Sequence, residues 1–265
     1  MRGKKLLVSI LIGLLFLGIV SAVSAAPVFD LTEKDRGLVK VNYAENARPT
    51  KVLIQKDDLS YYYQLQGGEG SFPLQLGSGD YQLFLLEQVE GNRYRILQRT
   101  EVAAKIVDER IPFLQSAQPV KWQEEMEAVK LARSLAAGLE SEEEKVAAFY
   151  EFMVKNFTYD REKAASRLSP DYLPDAEETL AGKKGICYDF AVLFAIMARS
   201  NGIPAKLVMG YHPEIADYHA WNEVYLPEKG GWVVVDVTYD LFMAENGLET
   251  SMIKKGDLFE KTKEY

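Results

Sequence analysis

Residues 182–204 read GKKGICYDFAVLFAIMARSNGIP, and they place the only cysteine of a 265-residue chain where a helix should begin. After Cys187 the apolar residues Phe190, Ala191, Phe194, Met197 and Ala198 recur at steps of three and four, the spacing of a helix that buries one face. Asn201-Gly202 and then Pro204 are stop signals, so the spacing predicts a helix from near Cys187 to near Ser200. A thiol in the first turn sits at the positive end of the helix dipole, where unpaired N–H groups favour an anion. Free cysteine is also among the most buried residue types, so the competing reading is a small core side chain. Residues further along the chain separate the two.

Three strand-like runs follow the cysteine helix: Ala205 to Tyr211 (AKLVMGY), His219 to Leu226 (HAWNEVYL) and Gly231 to Val237 (GWVVVDV). Pro227 to Gly230 lie between the last two, short enough for a hairpin. If Tyr225 faces Gly230, His219 falls directly opposite Asp236, and facing residues point to the same side of a sheet. A one-residue slip would put the two on opposite faces. A helix whose N-terminus packs on that hairpin brings Cys187, His219 and Asp236 together. Their chemistry then assigns the roles. Cys187 is a thiolate nucleophile for a carbonyl or carboxamide carbon, and His219 is the imidazolium that holds the ion pair and later protonates the leaving amine. Asp236 accepts the other ring N–H and fixes the tautomer. The backbone N–H of Cys187 is a natural oxyanion donor, with Tyr159 as a candidate for the second. His212, the only other histidine, precedes Pro213 with no carboxylate at matching hairpin geometry and is the rival base.

Before the cysteine, Tyr159 to Gly182 is a polar, proline-containing connector (YDREKAASRLSPDYLPDAEETLAG) in which Asp175 to Thr179 can open a short helical turn. It is long for a plain linker and is expected to wall a substrate cleft. Upstream, Trp122 to Leu139 has a helical apolar face, and Ser141 opens a capping box with Glu144 that starts a second helix ending near Phe157. From Phe29 to about Asp108 the pattern is instead alternation and turns. Seven short strands are expected there: Leu38 to Tyr43, Lys51 to Gln55, Tyr61 to Leu65, Ser71 to Leu76, Tyr81 to Leu86, Arg93 to Gln98 and Glu101 to Ile106, with a hairpin turn at Glu90 to Arg93. Such a stretch suggests a small antiparallel sandwich, immunoglobulin-like in size. The run Tyr61, Tyr62, Tyr63 is expected to pack on and cover a sheet, and this region is expected to be an accessory module whose removal leaves the chemistry intact.

The N-terminus carries a different message. Arg2, Lys4 and Lys5 form a basic head, Leu6 to Val20 an apolar run, and Ser21 to Ala26 a small-residue cleavage region. The expected division is a signal peptide at 1–26, a β-sandwich at 27–112 and a catalytic domain at 113–265. The protein is thus expected to be secreted or extracytoplasmic, with no stable membrane span after cleavage. Losing the three basic residues moves the net charge from −8 to −11, an acidity that disfavours nucleic acid and anionic membranes as partners. One cysteine excludes an internal disulfide. With two histidines and no zinc-ligand spacing, neither a metal nor another cofactor is expected.

Gly185-Ile186-Cys187-Tyr188-Asp189-Phe190-Ala191, then Tyr218-His219-Ala220-Trp221-Asn222-Glu223-Val224, then Trp232 to Asp236 followed by Thr238, form three blocks in a fixed order. Together they resemble the transglutaminase-like superfamily of papain-type cysteine enzymes over about residues 120 to 240. The resemblance implies an α+β core, with the cysteine helix packed on an antiparallel sheet, and a triad that falls on Cys187, His219 and Asp236. Trp221, Asn222 and Glu223 match the pattern after the histidine and are expected to support the site by packing and hydrogen bonding. Val237 stands where such proteins usually carry proline, which leaves the carboxylate in place. Family members include protein cross-linking acyltransferases, peptidases, amide hydrolases and copies that have lost the site. The expected activity is that of an exported thiol enzyme acting on amide bonds of protein or peptide substrates, including those at a cell surface. A cysteine peptidase or amidase and a noncatalytic surface-binding protein are the alternatives.

Overall fold

The computed structural model describes residues 28–44 and 48–265, so the expected signal segment at 1–26 lies outside the described residues. Alternating apolar and polar residues build the first seven strands: β1 (Phe29–Asp30), β2 (Leu38–Asn42), β3 (Thr50–Lys56), β4 (Leu59–Leu65), β5 (Glu69–Pro73), β6 (Gly79–Glu90) and β7 (Arg93–Ala104). They form two antiparallel sheets, β1-β2-β5 and β4-β3-β6-β7. Val39, Val41 and Phe72 from the first meet Val52, Ile54, Tyr81, Leu83 and Leu85 from the second in one core. The tyrosine run splits by strand period: Tyr61 and Tyr63 are buried and Tyr62 is exposed. The two strands expected at 93–98 and 101–106 are one strand, because the β6–β7 hairpin continues past a bulge between Leu85 and Leu86.

The rest is helical, then mixed: α1 (Glu127–Ala136), α2 (Glu142–Asn156), β8 (Thr158–Tyr159), α3 (Arg161–Ala165), α4 (Ala176–Gly182), β9 (Lys184–Gly185), α5 (Cys187–Arg199), β10 (Ala205–His212), β11 (Ile215–Leu226), β12 (Gly231–Val235), α6 (Val237–Glu245), β13 (Ile253–Lys254) and β14 (Glu260–Glu264). The helix expected from Trp122 begins only at Glu127, since Trp122 is held in a turn by the Ser116 hydroxyl, which bonds both its N–H (2.8 Å) and its carbonyl (2.7 Å). The capping box of α2 is present, with the Glu144 N–H donating to Ser141 Oγ and the Ser141 N–H to Glu144 Oε2, both at 3.1 Å.

The second core is built around α5. The helix is buried all round from Asp189 to Arg199, because α1, α2 and α4 cover one side and the sheet β13-β12-β11-β10-β14 the other. Its last residue, Arg199, donates to the carbonyls of Ala205 (2.8 Å), Gln115 (3.1 Å) and Tyr265 (2.7 Å). At the sheet's far side, β14 approaches β10 so closely that a Cβ on Gly210 would lie 1.9 Å from the Glu260 carbonyl oxygen.

The β11–β12 register differs from the expected one. Tyr225 faces Trp232 and Leu226 faces Gly231, because Pro227–Lys229 form a 3-10 turn that Gly230 closes in the left-handed region, φ 78°. The slip is two residues, which preserves the face on which each side chain lies. The third run also stops sooner than expected, at Val235, and Asp236 caps α6 instead of extending the strand. Among the described residues no helix is long and apolar enough to cross a membrane.

Candidate active site

Cys187 is the first residue of α5, after Ile186 in extended conformation. The turn before it is held by Asp189, which is fully buried and accepts the Ile186 N–H at 2.9 Å. Gly185 makes room for that carboxylate: a Cβ there would lie 2.9 Å from the Asp189 Cβ and 3.0 Å from Oδ2. The cysteine itself is partly exposed, so it is not the sealed core side chain of the competing reading.

His219 on β11 is 3% exposed and Asp236 1%. The His219 Nε2 and Asp236 Oδ2 lie 2.7 Å apart, and Asp236 Oδ1 accepts the Tyr239 N–H at 2.9 Å. One carboxylate therefore starts α6 with one oxygen and orients the imidazole with the other. With Nε2 engaged, Nδ1 is left for the Cys187 thiol, which also interacts with the ring. Burial pulls the His219 pKa down, but the charge and hydrogen bond of Asp236, with a smaller contribution from Cys187, push it up to about 10. The ring is thus an imidazolium at neutral pH. The Trp221 ring stacks on it, with centroids 6.1 Å apart and planes at 25°.

Asn222 fixes the histidine strand to the cysteine helix: its Nδ2 donates to the Ala191 carbonyl one turn after Cys187 (2.9 Å) and to the Lys206 carbonyl (3.0 Å). Glu223 instead makes ion pairs with Lys206 and Lys261. The block after the histidine thus contributes packing, a tie and a surface charge. The rival base, His212, is buried elsewhere; its Nδ1 accepts the Glu214 N–H at 3.2 Å and its ring packs on Phe259 at 4.6 Å. It stays outside the His219–Asp236 pair.

Tyr159 reaches the site through the parallel β8–β9 pair, which sets it beside Gly185. Its ring lies on Phe242, 4.8 Å between centroids. Burial, with the nearby Cys187 charge, raises its hydroxyl pKa to about 12. Sequence reasoning missed the other ties to the first turn of α5: Lys163 Nζ donates to Asp189 Oδ2 at 2.7 Å, and the Tyr172 hydroxyl donates to Asp189 Oδ1. The one signal for them was Asp189, the single carboxylate of the helix. No group of three His, Cys, Asp or Glu residues among the described ones has the arrangement of a metal site.

Residues 129–237, which contain all three site residues, match the family model of the transglutaminase-like superfamily. The chain is 34% identical over 84 residues to a protein-glutamine gamma-glutamyltransferase of Pseudomonas aeruginosa, an alignment covering 26% of this chain and 12% of that protein. It is 31% identical over 113 residues to the uncharacterised protein YebA of Bacillus subtilis, covering 36% of this chain and 15% of that one. The chain thus spans well under a fifth of the length of either relative. The periplasmic domain of TgpA from Pseudomonas aeruginosa superposes with a TM-score of 0.39 at 20% identity, covering 77% of this chain and 71% of that domain. From Val129 to Val237, the chain carries a domain of the transglutaminase-like superfamily.

Proposed function

We propose that this protein is an exported thiol enzyme in which Cys187 forms an acyl-thioenzyme from an amide of a protein or peptide, with transfer to an amine or to water. The observation that carries the reading is the His219 ring, its Nε2 held 2.7 Å from Asp236 Oδ2 and the same ring acted on by the Cys187 thiol. The Cys187 thiolate attacks the amide carbon. The oxyanion that forms is met by the Cys187 backbone N–H at the head of α5 and by the Tyr159 hydroxyl, which keeps its proton at neutral pH. Collapse of the tetrahedral intermediate breaks the C–N bond, and His219 gives its proton to the departing nitrogen. The neutral ring then takes a proton from the incoming amine or water, and the thiolate leaves from the second tetrahedral intermediate.

The order β1-β2-β5 against β4-β3-β6-β7 suits an immunoglobulin-like module spanning 27–112 ahead of a catalytic domain at 113–265. The basic head, apolar run and small-residue region of the first 26 residues support export.

The test is labelling by iodoacetamide near neutral pH, for wild type and for Cys187→Ala. The reading requires rapid modification of the wild type at Cys187; modification no faster than that of free cysteine would leave only a binding module on this fold. Incubation with a glutamine-containing protein and a fluorescent amine then separates transfer, which incorporates the dye, from hydrolysis, which does not.

A further inference from the structure

Residues 160–175 leave β8 and return through α4 to β9, so the segment is closed at its base where Tyr159 pairs with Gly185 and the Asp160 N–H donates to the Gly185 carbonyl at 2.8 Å. Close to that base Arg161 pairs with Glu245 of α6 at 2.7 Å and Asp160 with Lys184 at 3.1 Å, and further out the segment is held on two sides. On the inside, Lys163 and Tyr172 both donate to the buried Asp189, two residues after the cysteine, and the Tyr172 ring meets Tyr188 edge-on at 6.1 Å. On the outside, Asp171 pairs with Lys51 of β3 at 2.7 Å, and the same ammonium lies 5.1 Å from the centre of the Tyr94 ring. Lys51 belongs to the N-terminal sheet, which contributes nothing to the His219–Asp236 pair. The segment is therefore suspended between the first turn of the cysteine helix and a different core.

We infer that residues 160–175 wall the approach to Cys187 and restrict which substrates reach it, and that Lys51–Asp171 and Lys163–Asp189–Tyr172 are positioning groups that latch this wall. The inference rests on the thiol-enzyme reading of Cys187 and adds a determinant of what reaches it. It also gives the N-terminal sheets a role: Lys51 holds the wall from outside. The inner latch places two donors on the fully buried Asp189 carboxylate, whereas the Asp171 carboxylate of the outer pair is 47% accessible. The outer latch is therefore the weaker one and the place where the wall opens first.

The test uses the whole chain and the variants Lys51→Ala, Asp171→Ala, their double, and the exchange Lys51→Asp with Asp171→Lys. Two rates are read: trypsin nicking at Arg167, an exposed site within the wall, and alkylation of Cys187 by a polymer-tethered maleimide relative to iodoacetamide. Each single variant is expected to raise nicking and the bulky-to-small ratio about two- to fivefold, the range for losing one partly exposed ion pair. Iodoacetamide alone should react at the wild-type rate. The double variant should add nothing, and the exchange should return both readouts towards wild type. Tyr172→Phe, which keeps the ring and removes the hydroxyl donated to Asp189, should open the wall further. Unchanged nicking and an unchanged ratio in all of these, or additive effects that the exchange fails to reverse, would overturn the inference. A wild type unreactive to iodoacetamide would instead sink the thiol-enzyme reading, and nicking would still decide the latch.

Discussion

Asp236→Asn separates charge from shape at the centre of the proposed mechanism. The asparagine keeps the volume, and its oxygen can still accept the Tyr239 N–H that starts α6. What changes is the partner of His219. An amide nitrogen facing Nε2 makes that nitrogen the acceptor, so the ring proton moves to Nδ1 and points at the sulfur it should receive a proton from. The charge effect acts in the same direction. The His219 pKa stands at about 10 against an ordinary 6.5, and at about 1.4 kcal/mol per pH unit this favours the imidazolium by on the order of 5 kcal/mol. With the carboxylate gone, burial of the ring is the prevailing influence and the neutral form wins at pH 7. The sulfur then loses the cation that stabilises its anion, and in ion-paired cysteines that stabilisation is worth about two or more powers of ten in thiolate share. Iodoacetamide should thus modify the variant roughly 100-fold more slowly than wild type at pH 6.5, with the gap closing to a few-fold by pH 9. Stability carries the matching signature. A folded-state value above the unfolded one contributes fully below about 6.5 and is lost as pH rises through about 10. The melting temperatures of wild type and variant should accordingly differ most near pH 6 and converge towards pH 10. A variant that alkylates within twofold of wild type at pH 6.5, with the same flat profile, would refute the assignment of Asp236 to the ring.

Tyr159→Phe removes the proposed hydroxyl donor; turnover of whichever acyl acceptor the wild type uses should fall about 100-fold with iodoacetamide labelling unchanged, and undiminished turnover would remove Tyr159 from the site. Gly210→Ala drives a methyl group into the Glu260 carbonyl oxygen, so β14 should detach; amide exchange at Lys261 and Lys263 should quicken and the protein should melt earlier, whereas wild-type exchange would show that the edge can give way. Arg199→Met takes a donor from the carbonyls of Ala205, Gln115 and Tyr265, the last of which keeps the Leu207 N–H; each carbonyl left unpaired in the interior costs about 1 kcal/mol or more. Its urea midpoint should drop by several kcal/mol equivalent, and an unmoved midpoint would mean that those carbonyls find other donors.

What the sequence made legible was short-range. The three- and four-residue steps after Cys187 gave α5 its ends to within a residue, and Ser141 with Glu144 announced α2 because a capping box is complete within four positions. The loop of the hairpin that carries His219, Pro227 to Gly230, is where the sequence places it, but the register is two residues off; an even slip leaves side chains on the same face, so the histidine and carboxylate still meet. The run GWVVVDV promised a strand through Val237 since β-branched residues favour one; the Asp236 side chain outweighs that preference by capping the Tyr239 N–H. Other features had no local trace. The residues EKTKE of β14 are mostly exposed and carry no apolar alternation, and the strand exists because β10 offers it an unpaired edge. Nothing in the spacing of Lys163, Tyr172 and Asp189 marks them as one cluster; the parallel β8–β9 pair brings them together by folding the segment back on itself.

The same pairing logic explains why the site tolerates being built from distant pieces. Cys187 and Asp236 each stand at the start of a helix, α5 and α6 respectively, where the backbone favours negative charge. His219 lies between them on a strand, so the one cation of the set faces two places where anions are favoured. Asp189 and Asp236 each divide their two oxygens between a helix start and a longer-range partner: Ile186 with Lys163 and Tyr172 in one case, Tyr239 with His219 in the other. Asn222 then sets the distance between the systems by bonding the helix and the neighbouring strand at once. Each charge is fixed by groups that also define the backbone under it. A change that shifts α5 against β11 would have to break the Asn222 bond to Ala191, and one that moves the segment 160–175 would have to break the Asp189 ties at the same helix start, so that segment belongs to the geometry of the cysteine rather than to the surface around it.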